Sequence, residues 1–163
     1  MTETDPVTVR SGNPGDIDAA VAVWSRANEG KNLPAHAERL RGWARDPDSA
    51  LHIVKVGGQL VGMALRLPGR ADDGTGPLIP DLCHLTGISV LPKCQGQRLG
   101  GLLLDAVLAA GMRDGYRRAT LWTHADNARA GLLFAARGFR PTGRAAPDEA
   151  GTPMVHLECV LKV

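Results

Sequence analysis

The stretch that most constrains this chain is residues 87–111, GISVLPKCQGQRLGGLLLDAVLAAG. A β-branched, apolar run meets Pro92, a polar turn with glycines follows, and a strongly apolar segment then continues to about Arg113. Proline cannot donate to a sheet ladder, so the strand expected over Leu82–Leu91 stops there, and the apolar run beyond the turn is a helix. A strand delivered through a short turn into a helix commits this region to an α/β arrangement.

The rest of the chain alternates in the same way. Val7–Arg10 is a short strand, and SGNPGD after it is turn chemistry ending in Asp16, a helix cap by type. Ile17, Ala20, Val21, Trp24 and Ala27 recur at helical spacing and define one apolar face. The pattern breaks around Asn28–Pro34, and a second helix follows with Leu40, Trp43 and Ala44 on its buried side, stopping near RDPDS. ALHIVKVGGQLVGMALRL reads as two strands joined by Gly57-Gly58, a strong hairpin signal. Residues 68–81, PGRADDGTGPLIPD, have the composition of an exposed loop. After the long helix come a strand over RRATLWTH, a helix over DNARAGLLFAARG, and closing strands over FRPTGR and MVHLECVL. The expected fold is α/β, a mixed, mostly antiparallel sheet flanked by about four helices. It forms one domain over 7–163, after a disordered tail at 1–6.

Charge narrows the partners. The net charge of +2 arises from acidic and basic residues spread along all 163 positions, without the Lys/Arg runs of a nucleic-acid arm or membrane-surface helix. Nucleic acid and membrane are therefore not expected partners. Cys83, Cys94 and Cys159 are odd in number and lack ligand spacing, which argues against a disulfide framework and a zinc site. No basic-then-apolar leader or membrane-length run is present, so a cytoplasmic location is expected.

The turn itself carries the chemistry. Gln95, Gly96, Gln97, Arg98, Leu99, Gly100 and Gly101 lie between a strand end and a helix start. Open amides there, backed by the positive end of the helix dipole, favour a phosphate, and Arg98 adds a fixed charge. The competing reading is that the glycines only permit a tight turn and close helix packing. A Walker loop is excluded because no Gly-Lys-Ser/Thr ends the turn. A Rossmann fingerprint is excluded because the turn follows about four strands and Gln97-Arg98 interrupts the glycine spacing.

GISVLPKCQGQRLGGLLLDAVLAAG resembles the acyl-CoA-binding motif of the GNAT superfamily of N-acetyltransferases. Gln95 and Gly100 match its outer positions, Gly96 a common extra glycine, and Arg98 stands where the central glycine is usual. NARAGLLFAARGFRPTGR resembles the family's later signature, with Asn127, Ala130, Phe134, Gly138, Phe139, Thr142 and Gly143 in register, and VTVRSGNPGDIDAAVAVW is similar to its first strand and helix. The resemblance implies an acyl-CoA N-acyltransferase fold whose fourth and fifth strands, about 82–91 and 118–123, splay apart. It implies acetyl-CoA as cosubstrate, its pyrophosphate on Gln95, Gly96, Gln97, Arg98, Gly100 and Gly101. The backbone of Ile88, Ser89 and Val90 would pair with the pantetheine amides, and Asn127 and Phe134 would lie near the cofactor. The implied reaction is transfer of an acetyl group to a primary amine of a small molecule or peptide, by direct attack in a ternary complex.

Catalytic residues follow less directly. Family members commonly carry a Tyr as general acid where this chain has Phe134, which has no proton to give. The only tyrosine, Tyr116, reads as a helix-end packing residue. His84 in the motif strand is the first candidate base, with a structural histidine as the alternative, and Asp81 at the start of that strand is the second. His124 ranks below His84, while His36, His52 and His156 have no supporting context. Cys94 takes no nucleophilic role, and no metal site is expected. Trp24 and Trp43 read as core. Glu29, Glu38, Asp72, Asp73 and Asp81 fall in regions that shape the acceptor side in the resembled family, and the acceptor amine itself is unspecified. A homodimer is left open. The alternative function is a GNAT-like module that binds or senses acyl-CoA without turnover.

Overall fold

Gly57 and Gly58 take φ values of +58° and +84°, the left-handed conformation that a two-residue hairpin turn needs at both central positions. The computed structural model, which describes residues 5–29 and 34–161, accordingly joins strand β2 (Ala50–Val56) to β3 (Gln59–Arg70) in antiparallel register through this turn. Strand β1 (Val7–Ser11) pairs antiparallel with the other side of β2. The remaining strands are β4 (Leu78–Val90), β5 (Arg118–His124), β6 (Arg140–Pro147) and β7 (Pro153–Val160). They form one seven-stranded sheet in the order β1-β2-β3-β4-β5-β7-β6. Strands β4 and β5 are parallel, with Leu82 opposite Arg118 through Leu85 opposite Leu121, whereas β7 is antiparallel to both β5 and β6. The helices are α1 (Ile17–Ala27), α2 (Pro34–Arg45), α4 (Leu99–Arg113) and α5 (Ala128–Ala135), with α3 (Ala71–Gly74) a single turn. This is the mixed α/β architecture expected from the sequence.

Two compact units divide the chain, Met1–Arg66 with Gly87–Val107, and Leu67–Thr86 with Leu108–Val163. In the first, α1 buries Ile17, Ala20 and Val21, as its spacing predicts, and also Val23. Leu103, Leu104 and Val107 of α4 are completely buried, each side chain worth roughly 1.5–3 kcal/mol relative to exposure. In the second, Leu82, Cys83 and Leu85 of β4, Ala119 and Leu121 of β5, and Leu157 and Cys159 of β7 are buried together with Phe134 and Phe139.

Four local expectations are corrected. Asp16 stands at the N-cap position of α1, but its side chain does not cap that helix. Its carboxylate turns back to accept the Asn13 N–H (2.9 Å) and pairs with Arg10 (3.0 Å), closing a capping box on the short 3-10 turn that precedes the helix. The Arg10 hydrogen bond, and then that of Asn13, hold its pKa below the usual carboxylate value. Trp43 is 39% exposed, so the buried side of α2 rests on Leu40 instead. Residues 68–81 are not a loop, because β3 continues to Arg70 and β4 begins at Leu78, leaving only 71–77 as the connection. The motif strand therefore starts four residues before Leu82. The chain break expected around Asn28–Pro34 includes 30–33, outside the described residues, as does 1–4 of the expected tail; Pro6 lends its carbonyl to the Gly57 N–H (3.0 Å).

Candidate functional site

Where β4 ends, alternate burial shapes the turn. Leu91, Cys94 and Leu99 point into an apolar cluster with Val23, Val54, Val56 and Val61, while Gln95, Gly96, Gln97 and Arg98 all stand exposed. Pro92–Cys94 is a 3-10 turn, closed by the Cys94 N–H on the Leu91 carbonyl (2.8 Å), and Leu91 itself donates to Val61 (2.8 Å). Gln95 Nε2 reaches back to the Val90 carbonyl (3.2 Å). Cys94, completely buried, is thus an anchor for the turn.

The exposed arc has the backbone an anion needs. Gly96 sits at φ +89° with open space where a Cβ would lie, so glycine serves conformation there rather than clearance. Arg98 takes φ +64°, the left-handed conformation glycine adopts at no cost, although its side chain is long and charged. The Leu102 N–H bonds the Arg98 carbonyl (3.2 Å) as helix α4 opens. Helix geometry leaves the N–H groups of Arg98, Leu99, Gly100 and Gly101 without acceptors inside the helix. Upstream, Gly87 interrupts β4 at φ +66°, where a Cβ would meet Leu40 Cδ1 and Met63 Cε at 3.0 Å. The kink falls just before Ile88, Ser89 and Val90, and the Ser89 hydroxyl donates to the Gly87 carbonyl (3.0 Å).

A second constellation is built on β5 and β7. Thr120, Trp122 and His124 alternate with buried Ala119 and Leu121, so they share one face of the sheet, opposite Glu158, His156 and Met154 of β7 in register. His84 lies opposite Thr120 in the parallel ladder and its Nδ1 hydrogen-bonds the Thr120 hydroxyl (2.8 Å). Burial, then the field of His156, push the His84 pKa down to about 4, with Arg144 adding to the depression and Asp73 opposing it. His156 is depressed too, by burial and then by Arg144. Its Nδ1 meets the Thr142 hydroxyl (2.9 Å), and its ring stands edge-on to Trp122 with centroids 4.9 Å apart.

A bulge completes this face. The β6–β7 register jumps from Pro141 opposite Leu157 to Ala145 opposite Val155, with Gly143 at φ +91°. Thr142, Gly143 and Arg144 therefore crowd opposite His156, and the Arg144 guanidinium sits over Trp122, 5.2 Å from the ring centroid. The same guanidinium pairs with Asp73 from the connection between β3 and β4. Further along β5, His124 Nε2 bonds Asp148 Oδ2 (2.9 Å), and Asp148 also accepts the N–H groups of Ala150 (2.9 Å) and Thr152 (2.8 Å). The His124 bond, first, lowers the Asp148 pKa.

The other sequence candidates are placed as follows. Asn127 caps α5, accepting the Ala130 N–H (3.1 Å). Phe134 is buried against Phe139 in an edge-to-face pair 5.7 Å apart. Asp81 is exposed at φ +64°, and its carbonyl accepts the Arg117 N–H (2.8 Å). Glu29 is exposed in the turn after α1 and Glu38 is exposed on α2, pairing with Arg41 (2.9 Å). Sequence reasoning passed over Trp122, Arg144 and His156. Alternation along Thr120-Leu121-Trp122-Thr123-His124 signals one polar strand face, but the register that adds His156 and the bulge that adds Arg144 are not local signals.

Among the described residues no group of three or more His, Cys, Asp or Glu could hold a metal ion, and no helix is long and apolar enough to cross a membrane. The family model for the acetyltransferase (GNAT) family matches residues 17–139. No curated protein sequence matches the chain. Among solved structures, the ribosomal-protein-S18-alanine N-acetyltransferase from Escherichia coli is similar at 19% identity, over 97% of this chain and 96% of that one, with a TM-score of 0.78. The ribosomal-protein-alanine N-acetyltransferase from Brucella melitensis gives 20%, 94%, 99% and 0.75 for the same measures. A protein from Salmonella typhimurium, yncA, described as a candidate acetyltransferase and solved with its cofactor acetyl-CoA, gives 20%, 96%, 94% and 0.76.

Proposed function

Because the chain belongs to the acetyltransferase (GNAT) family, we propose that it is an N-acetyltransferase that moves the acetyl group of acetyl-CoA onto a primary amine by direct attack in a ternary complex. The observation that carries this reading is the turn after β4: an exposed arc with Gly96 and Arg98 in the left-handed region, running into the start of helix α4. Gln95, Gly96, Gln97, Arg98, Gly100 and Gly101 would hold the pyrophosphate. The backbone of Ile88, Ser89 and Val90 would hold the pantetheine arm beyond the Gly87 kink. By family resemblance alone, Asn127 and Phe134 would also lie near the cofactor.

What the chain supplies to the reaction is chiefly position. Acetyl-CoA brings an activated thioester, and holding an amine in line with it is worth up to about 7–11 kcal/mol of barrier. Phe134 has no proton to donate, and its burial against Phe139 makes it a packing residue. The leaving thiol has a pKa of about 8.5, so the thiolate departs and is protonated by water without a dedicated acid. His84 is neutral above pH about 4. In the tautomer whose Nδ1–H donates to the Thr120 hydroxyl, Nε2 is an acceptor and would take a hydrogen bond from the attacking amine, while the surplus proton passes to solvent. So weak a base would not hold that proton near neutral pH. Asp81, exposed at the bend where β4 begins to pair with β5, takes no part.

Titration calorimetry with acetyl-CoA, followed by a thiol-release assay against an amine panel, tests this reading. Binding with amine-dependent release is the expected result. Gly100→Ile should weaken acetyl-CoA binding by about 10-fold or more while the far-UV spectrum stays native, since a β-branched side chain at the helix start obstructs the anion. Unchanged affinity would overturn the assignment of the turn. The buried Phe134 favours a second reading, an acyl-CoA sensor, which would bind without releasing thiol to any amine.

A further inference from the structure

The bulge of β6 leaves a guanidinium in an unusual setting. The Arg144 guanidinium carbon lies over the Trp122 ring and Asp73 occupies one Nη2 donor, yet the Arg144 side chain remains 52% exposed and that of Asp73 65%. Exposed ion pairs of this kind contribute little net stability, so the Asp73 carboxylate is readily exchanged for another. Asp73 also demonstrates what the fork accepts, because a carboxylate oxygen is seated on it already. By contrast, Arg118 on the same strand face is held by Glu158 at 3.2 Å.

The neighbours of Arg144 complete a two-ended patch. His84 and His156 are kept uncharged near neutral pH by burial, and each ties its Nδ1 to a threonine hydroxyl. Uncharged imidazoles do not repel an amine and can accept its hydrogen bond. One permanent cation beside neutral acceptors matches a molecule with a carboxylate at one end and an amine at the other. Resting on the acetyltransfer reading above, we infer that Arg144, held over the Trp122 ring, is a carboxylate subsite, and that the acceptor is an amine carrying its own carboxylate. Arg144 is then the specificity-determining residue, and Asp73 is the placeholder that the acceptor displaces.

Matched acceptors test this. Free L-amino acids and ω-amino acids of increasing length, each paired with its carboxamide, are compared in the thiol-release assay. Independently of turnover, the corresponding N-acetyl acids and N-acetyl amides are titrated while the indole N–H resonance of Trp122, assigned with Trp122→Phe, is followed. Charge-assisted hydrogen bonding predicts that at least one acid is preferred over its amide by about 10- to 100-fold in kcat/KM and in affinity. Arg144→Gln should bring that ratio close to one. Arg144→Lys should restore only part of it, since Lys keeps the charge without the fork. Asp73→Asn should tighten binding of the acids by about two- to five-fold. Equal use of acids and amides by the wild type, or a ratio that survives Arg144→Gln in a natively folded variant, overturns the subsite. Acids that bind through Arg144 with no thiol release from any amine support the subsite and overturn the acetyltransfer reading instead.

Discussion

At Arg98, residue type and backbone conformation disagree. Arginine stands where a glycine is usual in the resembled motif, and the chain nevertheless takes glycine's φ of +64° there. The residue type was legible in the sequence, but the conformation was not, because the buried anchors Cys94 and Leu99 on either side set it. His84 presents the same division. Its place on the motif strand could be read directly, whereas its uncharged state depends on burial by the whole unit and then on the field of His156, which lies far along the chain. That state has a consequence for stability. A histidine whose folded pKa lies near 4, against about 6.5 unfolded, binds fewer protons when folded, so its contribution is intact above pH 6.5 and is lost as pH falls toward 4. His156 is depressed in the same direction, while Asp16 and Asp148, with lowered carboxyl pKa values, act below pH 4. Urea unfolding at pH 7 and pH 4.5 should show a drop in the wild type, and His84→Gln should reduce that drop by about 2 kcal/mol. An identical pH dependence in the variant would show that His84 titrates normally in the folded chain.

Elements were legible where local chemistry alone sets them. The Gly57-Gly58 hairpin, the helix after Pro92 and the Asn127 cap all follow from turn types and capping, which involve only neighbouring residues. The stretch 68–81 was misread because glycine has two uses. Gly69 lies within β3, where Leu82 of β4 approaches so closely that a Cβ would be 2.5 Å from Leu82 Cγ and 2.9 Å from its carbonyl oxygen. Glycine there permits a close approach between strands, a need that composition cannot distinguish from loop flexibility. The two readings predict different costs. In an exposed loop Gly69→Ala would be near neutral, whereas in the strand it forces Leu82 and backbone apart and should cost about 1–3 kcal/mol by chemical denaturation. A change within 0.5 kcal/mol would return this segment to a loop. The β6 bulge was illegible for a related reason, since its register jump exists only relative to β7.

At the scale of the molecule, the boundaries between the two compact units are informative. They fall at Arg66/Leu67, Thr86/Gly87 and Val107/Leu108, inside β3, β4 and α4 respectively. Separable domains are joined by exposed linkers that few interactions cross, and none of these three positions is a linker. Helix α4 in particular has fully buried Val107 just before one boundary and buried Ala110 just after it. Strands β3 and β4 and helix α4 each continue in sequence from one unit into the other, and helix propagation is cooperative along its length. The chain should therefore unfold as one domain. Circular dichroism and tryptophan fluorescence should give coincident urea transitions, although Trp24 and Trp43 belong to the first unit and Trp122 to the second. Acetyl-CoA at 100 times its dissociation constant should shift the whole transition by about 2.7 kcal/mol, because a ligand held by the native turn stabilises everything that unfolds with it. Two separated transitions, with only the one reported by Trp24 and Trp43 moving on addition of acetyl-CoA, would show instead that the units fold independently and that the turn after β4 belongs to the first alone.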